Sequence, residues 1–283
     1  MIQLIQFASE SGPHVSLAAD EIFSIAGIPI TNSILLGVFG YALLIWMFVY
    51  TANVVKNGKK RNFVVKLITW CYEGLYNTVL QVIGNDKIAK KFAPLPIAMF
   101  FFVITQYYMG ILPIVGPITV DGVPLFRGFA ADLNTTFGLA ILMLVSAQMY
   151  AIKVHGFFGN AKRYIRNPIK DPAGAFEGLL EIFAEFSRTI ALSMRLFGNV
   201  FAGEILLVMV AFLTSYFSVA ALPPFYIFEL FIGGIQAYIF FMLTTVFVSL
   251  GLASHGSHDD AADDSHVVHS SVDNAQAPIS AGE

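Results

Sequence analysis

The stretch from Gly174 to Tyr216 runs 43 residues without a proline, with apolar residues at helical spacing and strong helix formers throughout. At about 1.5 Å per residue such a helix is about 65 Å long, about twice the hydrocarbon thickness of a bilayer. A helix of that length cannot stand upright in a membrane, so it tilts steeply or lies largely in the membrane plane. Its polar residues are not scattered. At about 100° per residue, Glu181, Arg188, Arg195 and Asn199 share one sector, whereas Glu204 points to the opposite face.

Arg195 sets the chemical problem. A guanidinium stays protonated, so it cannot escape a low dielectric by neutralising. Placing it at mid-bilayer costs at least about 2.5–3.5 kcal/mol. It needs a carboxylate or a water-filled cavity, and Glu204 lies on the wrong face to serve. The partner is expected on another helix or another protein.

Composition agrees with a membrane setting. Of the residues, 57% are hydrophobic and only 12% charged, with mean hydropathy +0.71, against about 25% charged in soluble domains. The net charge of −3 and the absence of a basic stripe give no nucleic-acid signal. Cys71 is the single cysteine, which excludes an internal disulfide and a cysteine-rich metal site. Residues 1–32 lack a basic start followed by an apolar run, so no cleavable signal peptide is expected.

Along the chain, 1–32 reads as an outside segment broken by Pro13, Gly27 and Pro29, with at most one amphipathic turn. Residues 33–55 carry no charge and form a first span. In 62–85, Lys66, Thr69, Glu73, Asn77 and Gln81 recur every three to four residues against an apolar face, the pattern of an interfacial amphipathic helix. Spans follow at 92–112 and 133–152, the latter closed by Lys153, and the intervening 113–131 is a loop of proline and glycine. A basic loop, 155–172, leads to the long helix. A break at Pro223-Pro224 precedes a last helix, 225–253, which pairs with the long one as a tilted hairpin. The expected fold is an all-α integral membrane protein with five membrane helices and one interfacial helix. Residues 254–283 mix His255, His258, His266 and His269 with aspartates. This tail is expected to be disordered, and without a scaffold it is a weak metal signal, so no metal and no cofactor are expected.

Loop charge gives the orientation. Eight basic residues separate the first and second spans and five lie from Lys153 to Lys170, whereas the 113–131 loop has only Arg127. The N-terminus is therefore expected outside and the C-terminus in the cytoplasm.

On the last helix Glu229, Gly233 and Gln236 share a face, and Gly233-Gly234 lets another backbone approach. Packed antiparallel, this face puts Gln236 near Arg195 and Glu229 nearer Glu204. Two acids close together in a membrane cannot both comfortably ionise, which suits a proton relay. Glu204, Glu229, Asn199 and Gln236 would line a path from outside, and Glu177, Glu181 and Glu185 the cytoplasmic part. Two half-paths meeting a fixed cation suit the movement of ions.

Arg195-Leu196-Phe197-Gly198-Asn199, Ala202-Gly203-Glu204, Gly234-Ile235-Gln236-Ala237 and Ala131-Asp132-Leu133-Asn134-Thr135-Thr136 together resemble subunit a of F-type ATP synthases. The similarity covers 131–253 closely, and Pro29-Ile30-Thr31-Asn32 fits as well. It implies a stator ion-channel subunit that makes no covalent bond itself. Its hairpin would lie against a rotating ring of c subunits, with peripheral-stalk b subunits and the rest of the complex as further partners. It implies that Arg195 faces the ring carboxylate, favours its ionised form and blocks leakage between half-channels. Asn199, Glu204, Glu229 and Gln236 would belong to the outer half-channel, and Glu181 and Arg188 to the inner one. The location implied is a bacterial plasma membrane, with an organellar inner membrane as the alternative. Two departures stand out: Ala191 replaces a hydroxyl, with Ser193 half a turn away, and Glu204 and Glu229 are both acids.

Simpler roles compete at several positions. Arg195 could pair structurally, Arg188 could snorkel, Glu177 and Glu185 read as interfacial, and Asp132 and Asn134 are either a helix cap or a channel mouth. The rival function is a self-contained ion channel or ion-coupled transporter, but the internal symmetry common in transporters is absent from the sequence.

Overall fold

The structure is a computed structural model, and it describes residues 21–25, 28–58, 60, 62–112, 115, 119–120, 123–124, 126–164 and 172–253. The tail 254–283, residues 1–20, most of the 113–125 loop and residues 165–171 lie outside the described residues.

Within the segment expected to hold at most an amphipathic turn, β1 (Glu21–Ile25) pairs antiparallel with β2 (Ile28–Thr31). Ile and Phe fit a pleated surface, which overrides the turn signals around them. A second, two-residue pair, β3 (Thr119–Val120) and β4 (Val123–Pro124), lies in the proline-glycine loop. The rest is helical. Helix α1 (Asn32–Lys56) comes first, then α2 (Phe63–Ile83), which buries Val65, Ile68, Leu75 and Val79 while Lys66 and Glu73 stay exposed. Asn85 caps α3 (Asp86–Phe92), accepting from the amides of Lys87 and Ile88, and α3 runs through Ala93 into α4 (Pro94–Gly110).

Helix α5 (Leu133–Tyr164) begins after a short 3-10 turn, Phe129–Ala131. It does not stop at Lys153. Gly156 adopts φ 75° and ψ 164° inside it, and the chain beyond continues as helix. A straight helix would separate Gln148 from Tyr164 by about 24 Å. They are hydrogen-bonded at 2.7 Å, so the segment past Gly156 folds back along its own helix. Left-handed backbone is accessible to glycine because it has no Cβ.

Helix α6 (Pro172–Thr214) is 43 residues long, and α7 (Ser218–Ala253) follows a 3-10 turn, Ser215–Phe217. The expected break at Pro223-Pro224 is displaced: both prolines sit inside α7, and the reversal falls at Ser215, with φ 45°. Proline's fixed φ is helical, so near the start of a helix two prolines forfeit two amide bonds without ending it.

Helix α6 packs most closely on α5, and α7 on α4 and α6, whereas α1 lies outside against α4. The shared core is apolar, with Leu192, Leu196 and Val200 of α6 facing Phe240 and Phe241 of α7 and Phe100 and Val103 of α4. Four helical stretches are long and apolar enough to cross a membrane: Asn32–Lys56, Asp86–Gly110, Leu133–Lys153 and Pro172–Gly251, the last holding both α6 and α7. The chain is an all-α membrane protein.

Candidate functional site

Three clusters lie along α6. Near its Thr214 end, Glu229 of α7 is only 3% exposed. It fits because Gly203 of α6 faces it: a Cβ at 203 would collide with the Glu229 carboxylate. Tyr107 of α4 donates its hydroxyl proton to Glu229 Oε2 at 2.8 Å. The Tyr107 ring in turn lies where Gly233 has no side chain, a Cβ there falling 2.6 Å from the ring. Two glycines on facing helices thus open the slot that a tyrosine and an acid fill. Glu204 points the other way, to Arg127. That arginine is buried, with Nε 4.0 Å from Glu204 Oε2 and its guanidinium 5.9 Å from the Phe201 ring centroid. At this distance the pair is an ion pair at its outer limit and not a hydrogen bond.

At mid-helix, Arg195 is exposed on the outer surface of the bundle, and among the described residues no acid pairs with it. One turn on, Asn199 Nδ2 donates to Gln236 Oε1 at 3.0 Å, tying α6 to α7. Gln236 is buried, and its Nε2 has no partner among the described residues. So Gln236 meets Asn199, and Glu229 packs against Gly203, the neighbour of Glu204. Ser193 does not supply the hydroxyl missing at Ala191, because it is fully buried and hydrogen-bonded to Thr136 of α5 at 3.1 Å.

Toward the Pro172 end, Arg188 bonds the Ala184 carbonyl through Nε at 3.1 Å, reaches Glu181 at 3.4 Å and lies 5.1 Å from the Phe247 ring centroid. Glu185 is held differently. Gln148 Nε2 lies 2.8 and 2.9 Å from its two oxygens, and the Tyr164 hydroxyl donates to Oε1 at 2.6 Å. Beside it is a cleft of about 30 Å³ lined by Gln148, Glu185, Arg188, Thr189 and Phe247, room for about two waters. Glu177 is exposed.

Asp132 caps α5, accepting from the Asn134 amide at 3.0 Å and from the Ser33 hydroxyl at 3.1 Å, with Asn134 itself exposed. Tyr107, Gln148 and Tyr164 carry no signal in the sequence beyond being polar tips in apolar helices. Arg127 does, as the one base in the loop 113–131.

These features define an integral membrane protein in which charged groups sit inside a helical bundle and a cation with no acid partner among the described residues faces outward. Comparison with known proteins gives the family. The sequence model described as ATP synthase A chain matches residues 34–249. ATP synthase subunit a of Shewanella halifaxensis (strain HAW-EB4) is 31% identical over 238 residues, which are 79% of this chain and 82% of that one. Subunit a of Aliivibrio fischeri (strain MJ11) is 31% identical over 240 residues, 81% of this chain and 84% of that one. Subunit a of Aeromonas salmonicida (strain A449) is 31% identical over 233 residues, 79% and 88%. The chain belongs to the ATP synthase A chain family and is a non-catalytic membrane subunit of the ATP synthase complex.

Proposed function

We propose that this subunit is the stator ion path of the complex, carrying protons to and from the carboxylates of a rotating c-ring through two half-channels. The observation that carries the reading is Arg195: a permanent cation, exposed at the middle of α6, between two polar clusters that do not meet among the described residues. A cation in apolar surroundings attracts a carboxylate from a partner. A carboxylate passing Arg195 is drawn into its ionised form, so it gives up a proton on one side before it passes and takes one up on the other. The same fixed charge repels a proton attempting to cross directly.

In this reading α6 and α7 form a tilted hairpin among five membrane helices, with the N-terminus outside, the C-terminus cytoplasmic and α2 in the interface. Asn199, Glu204, Glu229 and Gln236 serve the outer half-channel, and Nε2 of buried Gln236, which has no partner among the described residues, is a donor for water or the ring carboxylate. Glu181 and Arg188 serve the inner one, and Asp132 and Asn134 flank an outer mouth. The b subunits hold the stator still, and the bacterial relatives favour a bacterial plasma membrane.

The test is ATP-driven acidification of inverted membrane vesicles carrying Arg195→Ala in the whole complex. Pumping is expected to vanish while the complex still assembles. Coupled pumping that survives the substitution overturns the reading.

A further inference from the structure

We propose that Glu185, rather than Glu181, is the carboxylate that passes protons between the inner path and cytoplasmic water, with Gln148 and Tyr164 as its positioning residues. The proposal rests on the reading above, that α6 carries an ion path on both sides of Arg195.

Three observations separate the two acids. Glu181 is committed to a permanent cation, Arg188, at 3.4 Å. The ligands of Glu185 are neutral, an amide and a phenol, so its carboxylate can gain and lose a proton without breaking an ion pair. Glu185 also lies deeper, one turn nearer Arg195, about 15 Å along the axis against about 21 Å for Glu181. Finally, Glu185 lines the cleft between α5, α6 and α7.

The two oxygens of Glu185 are not equivalent. Oε1 takes the short bond from Tyr164 and shares the Gln148 amide with Oε2, which has no further partner among the described residues. Oε2 therefore keeps a free lone pair. A proton arriving from cleft water adds there, and the same proton leaves to water at the cytoplasmic end, restoring the carboxylate. The fold-back at Gly156 gives this arrangement its shape, since it returns Tyr164 to the level of Gln148. In sequence, Glu185 is one of three acids on the cytoplasmic part of the long helix and reads as interfacial as readily as functional, because its ligands come from a distant helix and from beyond a bend.

The experiment uses inverted vesicles with the complete complex, measuring ATP-driven acidification and then passive proton conduction after the catalytic sector is stripped. Glu185→Gln is expected to lower passive conduction at least about tenfold, less than the full effect of a positioned proton-transfer group because cleft water carries part of the current. Glu185→Asp is expected to restore most of it, and Glu73→Gln, on the exposed polar face of α2, to leave it unchanged. Gln148→Leu is expected to lower conduction about threefold alone and to add nothing to Glu185→Gln, the non-additivity of residues acting through one group. Should Glu185→Gln fail to assemble, Glu185→Cys in a Cys71→Ser background is the substitute, with silver ion applied from the cytoplasmic face. Block of conduction supports the proposal and resistance overturns it. Normal conduction by Glu185→Gln alongside its loss in Glu181→Gln overturns it too. Pumping that survives Arg195→Ala instead overturns the underlying reading, whatever Glu185 does.

Discussion

At the Thr214 end of α6, an acid is sealed between three helices: Glu229 fills a slot opened by Gly203 and Gly233 and is bound by a buried tyrosine. At the Pro172 end, an acid with an equally specific set of donors, Glu185, lies against a cleft with room for water. Both carboxylates accept a tyrosine hydroxyl, at 2.8 and 2.6 Å. They differ in what can replace that bond when it is lost. In the sealed site nothing can, and the full cost of an unmade bond appears. In the open site water takes the place of the missing donor. The cations differ in the same sense. Arg127 is buried beside Glu204, whereas Arg188 spreads over Phe247 at the edge of the cleft.

The contrast is sharpened most strongly by filling the closed slot. Gly203→Val places methyl groups where the Glu229 carboxylate lies, and ATP-driven pumping is expected to fall to the level of Arg195→Ala. Gly74→Ala, at a position with open space around it, is expected to leave pumping intact. Equal pumping by the two variants would break the claim that the slot is tight. Next come the paired tyrosines. Tyr107→Phe strands a buried acid at a cost of about 1–3 kcal/mol and is expected to reduce pumping about fivefold or more. Tyr164→Phe is expected to reduce it no more than about threefold, because water substitutes. A larger loss from Tyr164→Phe would reverse the comparison. A smaller effect is expected from Arg127→Ala. The pair is at its distance limit and Glu204 is about one-third exposed, so it is worth about 1 kcal/mol or less. The check is thermal unfolding of the detergent-solubilised complex, with Arg127→Lys expected to recover part of the loss. The smallest effect concerns the thiol background for labelling at either end. Burial pushes the Cys71 thiol of α2 up, so less thiolate is present at neutral pH and alkylation is slow there. Labelling is expected to speed up as the pH is raised through the alkaline range, and rapid labelling at pH 7 would contradict the burial.

Much of this was legible in the chain itself. The long helix was predicted over 174–216 and runs Pro172–Thr214, because forty-odd residues of good helix formers without proline leave no other regular structure. The amphipathic helix was equally plain from Lys66, Glu73 and Gln81 at helical spacing. Three expectations give way to the structure: β1 and β2 pair where at most an amphipathic turn is expected, and two local rules fail among the helices. Pro223-Pro224 sits within a helix instead of ending one, and the segment after Lys153 is helical past a glycine bend instead of a loop. Proline's fixed φ is compatible with the first, and glycine's freedom at φ 75° permits the second.

The sequence by itself determined which residues share a face of α6, because the helical period converts spacing into angle. That places Arg195, Arg188, Glu181 and Asn199 in one stripe before any tertiary contact is considered. Only the tertiary structure decided which acid each neighbouring helix serves. Tyr107 and Glu229 are 122 positions apart, and Gln148 and Glu185 are 37 apart. Such pairs depend on where helices cross and where the chain reverses, at Gly156 and Ser215. Those crossings follow from the summed packing of many apolar side chains, and no short motif encodes that sum.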